Sequence, residues 1–107
     1  MNESEFNQRV DATLEAIEER LDEAETDLDF LISGGVLTII CENKSQLILT
    51  RQAPISQLWL ATRTGGYHFD YDAAQQGWVR DADGTALAAF LAQEFSAQAG
   101  ETLSFDI

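Results

Sequence analysis

Between residues 6 and 24 the apolar side chains Phe6, Val10, Leu14, Ile17, Leu21 and Ala24 fall at steps of four, four, three, four and three. That is the spacing of one helical stripe. It predicts a helix over residues 3–23 that must lay this stripe on a second layer of structure. At about 100° per residue the stripe covers an arc of about 80°. Asp11, Glu15, Glu18, Glu19, Asp22 and Glu23 cover about 140° on the other side and form a solvent-facing ridge. Asn2 with Glu5 three positions on is the pattern of a capping box, and Glu3 and Glu5 suit the positive end of the helix dipole. The ridge itself works against the helix. Asp11/Glu15, Glu15/Glu19, Glu18/Asp22 and Glu19/Glu23 are like charges at i,i+4, each costing about 0.2–0.5 kcal/mol.

Short strand patterns separated by turns supply the second layer. Segments 28–32, 36–41, 46–50, 57–62, 66–72 and 78–80 are rich in β-branched, aromatic or leucine residues and are bounded by Gly, Asp, Asn or Pro54. The Gly34-Gly35 pair between the first two is suited to a tight hairpin. Gly66-Tyr67-His68-Phe69-Asp70-Tyr71-Asp72 alternates strictly, which turns Tyr67, Phe69 and Tyr71 inward and His68, Asp70 and Asp72 outward. A second helix is expected from Thr85, with Leu87, Phe90, Leu91 and Phe95 on one face and Gly100 as its stop. Residues 101–107 carry Leu103 and Phe105, apolar enough to pack back as an extended tail. The order helix, strands, helix predicts an α+β protein. Its architecture is a two-layer αβ sandwich, with two helices packed on one face of a five- to six-stranded antiparallel sheet and one domain over 1–107.

Charge narrows the partners. The 107 residues hold 19 acidic and 6 basic side chains, a net charge of −13. Residues 1–29 alone carry 11 acids and 2 bases. Nucleic acid is excluded as a partner because it is itself a polyanion, and the same repulsion disfavours anionic membrane surfaces. A lone cysteine, Cys41, allows no intrachain disulfide and no multi-thiolate zinc site. With neither a signal-peptide pattern at the N-terminus nor an apolar run of membrane-spanning length, a cytoplasmic protein is expected.

Clustered carboxylates without His or Cys suit hard cations such as Fe³⁺, Mg²⁺, Mn²⁺ or Ca²⁺. The candidate ligands are therefore Glu15, Glu18, Glu19, Asp22, Glu23 and, on the segment that follows, Asp27 and Asp29. The same acids also suit a solvated face that confers only solubility. In Gln57-Leu58-Trp59-Leu60 two registers are open, and the one that buries Leu58 and Leu60 leaves Gln57 and Trp59 facing solvent. His68 and Asp70 form a possible acid/base pair, but on an open sheet face without a pocket. Cys41 is expected inward beside Leu37 and Ile39, away from His68, and an enzyme is not indicated.

Four stretches carry a resemblance: Ile17-Glu18-Glu19-Arg20-Leu21-Asp22, Ser33-Gly34-Gly35-Val36-Leu37-Thr38-Ile39, Gln57-Leu58-Trp59-Leu60-Ala61-Thr62 and Gly65-Gly66-Tyr67-His68-Phe69-Asp70. Together with the closing 99–105 segment they resemble the frataxin family, in its bacterial CyaY-type branch. The resemblance implies an accessory protein of iron–sulfur cluster assembly that binds iron, Fe²⁺ or Fe³⁺, weakly through the ridge, with other divalent cations able to compete. It implies docking on a cysteine desulfurase and its iron–sulfur scaffold protein; separately, a monomer is expected. Glu18, Glu19, Asp22, Glu23, Asp27 and Asp29 match the family's ridge, and Gln57 and Trp59 match its exposed sheet surface. The chain departs from the pattern at Thr50, where the family often has Asn, and at Leu31, where relatives tend to place an acid. The rival to this reading is an acidic protein-interaction module with no physiological metal.

Overall fold

Asn2 opens the first helix by accepting the Glu5 N–H on its side-chain oxygen at 2.8 Å. Its amide nitrogen donates to the Glu5 carboxylate at 3.1 Å, so the box closes through two side chains instead of the Asn2 backbone. In the computed structural model, which describes residues 1–107, helix α1 runs Glu3–Leu21 and buries Phe6, Val10, Leu14, Ile17 and Leu21. It stops two residues before the expected end. Glu23 and Ala24 turn back on Arg20 and Leu21 with i,i−3 bonds, and the Glu101 carboxylate accepts the backbone N–H groups of Glu25 and Thr26. That contact spans 75 residues of chain and is invisible to local periodicity.

Six antiparallel strands follow in sequential order: β1 Asp29–Ser33, β2 Val36–Ile40, β3 Gln46–Gln52, β4 Gln57–Thr62, β5 Gly65–Asp72 and β6 Gly77–Arg80. β1 lies one residue later than its expected position. Gly34 and Gly35 both take positive φ, 60° and 76°, as a two-residue hairpin turn requires, and this leaves Ser33 paired with Val36. β3 is two residues longer than expected, because Arg51 and Gln52 pair with Leu58 and Gln57 before a single 3-10 turn at Ala53–Ile55. Helix α2 spans Leu87–Ala99 and ends at Gly100, whose φ of 74° is the left-handed cap expected. It starts later than Thr85 because the sheet uses the two residues before it. Arg80 donates its backbone N–H to the Thr85 carbonyl, and Ala86 bridges Val79.

Both helices lie on one face of the sheet. Eighteen buried residues form the core, including Leu37, Ile39, Leu47, Leu49, Leu58, Leu60 and Phe69 from the strands. Trp78 is buried among them, edge-on to Phe6 and Tyr71, and its indole N–H donates to Thr13 Oγ1 at 2.9 Å. The tail packs back through Leu103 and Phe105 and is tied to α1 where Arg20 Nε donates to the Ser104 carbonyl at 2.7 Å. One buried acid was not foreseen. Glu94 of α2 is enclosed, accepting from Thr64 Oγ1 at 2.9 Å and from the Gln98 amide at 3.4 Å. No helix is long and apolar enough to cross a membrane.

Candidate functional site

The ridge occupies the second half of α1 and the chain just after it. Ion pairs relieve it only at its ends. Arg51 Nη2 reaches Asp11 at 2.7 Å, with Nη1 donating to Asn7 at 2.9 Å, and Arg20 Nη1 pairs with Glu23 at 2.6 Å. Glu15, Glu18, Glu19, Asp22, Asp27 and Asp29 make no salt bridge. Glu18 and Glu19 lie in the last turn of α1 and Asp22 is its C-cap, where the negative end of the helix dipole opposes them. These residues are spent on an exposed negative surface at the expense of helix stability. Replacing Glu18 and Glu19 by Gln and Asp22 by Asn is therefore expected to raise Tm by about 5 °C. NaCl or Mg²⁺ should raise the wild type more than the variant. Thermal unfolding at several ionic strengths checks this, and a variant no more stable than the wild type contradicts it.

Asp27 precedes β1, and Asp29 is its first residue, paired with Ile40 on the face of the sheet turned away from the helices. A depression of about 70 Å³ brings them together with Glu42 and Lys44, two loop residues that the sequence reading did not single out. No three His, Cys, Asp or Glu side chains anywhere in the chain converge closely enough to hold one metal ion. The oxygen donors suit a hard cation chemically. Their arrangement is a spread surface, not a preformed cage.

On the open face the register settles Trp59. Leu58 and Leu60 are fully buried, so Trp59 points outward between Thr50 of β3 and His68 of β5. Its indole stacks on the His68 ring, 4.3 Å between centroids and 24° between planes. Its N–H donates to Gln57 Oε1 at 2.9 Å, and the Gln57 amide donates in turn to Asp70 at 3.1 Å. Gln57 and His68 thus hold the indole from edge and face. The carboxylate nearest the His68 ring nitrogen is that of Asp81, 3.6 Å away, a residue on a different turn; Asp70 is engaged by Gln57. His68 and Asp70 thus form no acid/base pair, in keeping with an open face that offers no pocket. Arg51, next to Thr50, points to the helix side, so the sheet surface beside Trp59 offers Thr50 and Gln52 instead. Cys41 is buried just beyond β2, and burial pushes its thiol above the usual range despite a hydrogen bond from Ser45 and the charge of Arg63. It faces away from His68, on the other side of the sheet.

The model of the Frataxin-like domain matches residues 1–101 of this chain. The chain belongs to the frataxin family. Among curated bacterial frataxins, it is 47% identical over 105 residues to the iron-sulfur cluster assembly protein CyaY of Pseudomonas aeruginosa, covering 98% of this chain and 97% of that protein. It is 46% identical over 106 residues to the protein of the same name from Ectopseudomonas mendocina, covering 99% and 96%. The solved structure of frataxin from Psychromonas ingrahamii, a member of the CyaY family, superposes with a TM-score of 0.91 at 38% identity over the full length of both chains. The two-helix, six-stranded architecture is therefore the frataxin fold. These relatives are named for assembly of clusters and not for a catalysed reaction.

Proposed function

We propose that this frataxin acts in iron–sulfur cluster assembly as an accessory protein. In this reading it docks on a cysteine desulfurase through Glu18, Glu19, Asp22 and Glu23, and contacts the scaffold protein through Gln57 and Trp59. The observation that carries the reading is the separation of two surfaces with different physics. One is a run of acids at the end of α1 of which only Glu23 is paired, with Arg20; the other is a stacked, half-buried indole on the open sheet face. The first suits fast encounter with a basic patch, the second a desolvated aromatic anchor. A cytoplasmic site of action is part of the same proposal.

Iron enters as cargo or signal, held weakly by Glu15, Glu18, Glu19, Asp22, Glu23, Asp27 and Asp29. Surface carboxylates that keep their water bind a hard cation with low affinity and little selectivity. Micromolar or weaker binding is expected, with Fe²⁺ broadening NMR signals of residues 15–23, 27 and 29, and with Mg²⁺ competing at matched ionic strength. A tight site centred on His68 or Cys41 would overturn the assignment. The lack of a converging ligand triad favours a second reading, an acidic interaction module with no physiological metal. The cluster-forming rate on a scaffold, measured with and without this protein at several desulfurase concentrations, tests the accessory role. A rate independent of the protein at every concentration rejects it.

A further inference from the structure

The two edges of the sheet are treated differently. β6 is covered: Ala86 bridges Val79, Thr85 accepts from Arg80, and the Ile107 carbonyl closes over Gly77, so near that a β-carbon there would sit 3.1 Å from it. β1, at the other edge, pairs only with β2. Natural sheets usually blunt such an edge with Pro, Lys or a bulge. Asp29-Phe30-Leu31-Ile32-Ser33 has none of these, and its pairing with β2 runs without interruption.

The free groups can be named. The two-residue turn makes Ser33–Val36 a hydrogen-bonded pair, and alternation gives Leu31–Thr38 and Asp29–Ile40 the same status. The N–H and C=O groups of Phe30 and Ile32 therefore point away from the sheet. Leu31 is 61% exposed on the open face and Ile32 39% exposed on the helix side, so apolar surface flanks the free backbone on both sides.

Charge selects the occupant. A second copy of the chain would bring a net charge of −13 against −13, and residues 1–29, the most acidic part, lead directly into this edge. We propose that β1 accepts an extended segment of a partner protein as a seventh strand, and that the segment alternates basic and apolar residues. Its basic side chains lie on the open face, with ammonium groups beside Asp29 and methylene stems over Leu31. Its apolar ones lie against Phe30 and Ile32. Backbone bonds to Phe30 and Ile32 supply the register. The proposal goes beyond the desulfurase reading and does not depend on it, because β1 contains none of the four residues assigned to that contact.

The test uses the full chain and a fluorescein-labelled eight-residue peptide of alternating Lys and Val. A second peptide of the same sequence is N-methylated at alternate residues, so that one edge lacks N–H groups. Anisotropy should show the methylated peptide binding at least about tenfold more weakly. The unmethylated peptide should slow amide exchange at Phe30 and Ile32 by a similar factor. Ile32→Pro, which removes an outward N–H and no bond to β2, should weaken binding to the same extent. Equal binding of both peptides means charge attraction alone and overturns the proposal, as does no binding of either. A dimer in sedimentation that Ile32→Pro dissolves overturns the choice of occupant.

Discussion

Replacing Glu18, Glu19 and Asp22 together by Lys is expected to slow association with a cysteine desulfurase by at least about tenfold at low ionic strength and to flatten the dependence of that rate on salt. Three reversals of two charges each take the net charge from −13 to −7, all at one end of α1, where no basic side chain now answers them. Screening over about 8 Å at physiological salt confines the effect to the encounter. The difference from wild type should therefore shrink as NaCl rises. Trp59→Ala is the matched control, because it removes contact area without touching charge. It should leave desulfurase association nearly unchanged and alter the response only when the scaffold is present, where an aromatic anchor can contribute about 2 kcal/mol or more. Stopped-flow or surface-resonance kinetics over a salt series measure both. Ridge reversals that bind as fast as wild type at low salt would remove the desulfurase-docking reading and leave the acidic-module one.

Phe105→Ala is expected to destabilise the protein by about 3 kcal/mol and to lower Tm by about 15 °C. Phe105 is 6% exposed and stands edge-on to Phe95 of α2 at 5.8 Å, so truncation opens a cavity against a helix that cannot follow it. For a small domain this is a large fraction of total stability. Because the tail has no regular secondary structure, side-chain burial and two ties hold it, the Glu101 carboxylate and the Arg20–Ser104 bond. Urea unfolding followed by far-UV circular dichroism checks the value. A shift smaller than about 1 kcal/mol would mean that the tail is not part of the core.

Much of this architecture was legible because it rests on period. The 3.6-residue stripe of α1, the alternation of Tyr67, Phe69 and Tyr71 against His68, Asp70 and Asp72, and the Gly pair of the first hairpin are local signals that each name an element. The boundaries were less legible, each for an identifiable reason. α1 ends early because Glu23 and Ala24 tighten onto the Arg20 and Leu21 carbonyls with i,i−3 bonds, after which Glu101 holds the N–H groups of Glu25 and Thr26, and α2 starts late because Thr85 and Ala86 complete the β6 edge. At both boundaries bonds to nearby chain, i,i−3 turns after Leu21 and strand contacts to Val79 and Arg80, take backbone that the apolar period assigns to helix.

The candidate site divides along the same line. Sequence alone determined the acidic character of residues 1–29, the stripe that fixes which side of α1 carries it, and the family resemblance of the block around Trp59, since each is a property of neighbours in the chain. The resemblance also placed Trp59 on the exposed sheet face; only the tertiary structure decided that it stacks on His68, and that His68 lies nearest Asp81 while Asp70 bonds Gln57. It also decided that Arg51 and Arg20 neutralise just the ends of the ridge, and that β1 keeps an open edge while β6 does not. The reason is geometric. Periodicity specifies which face of an element a side chain occupies, whereas its contact partners depend on strand register and on chain returning from tens of residues away, and neither is encoded in a local window.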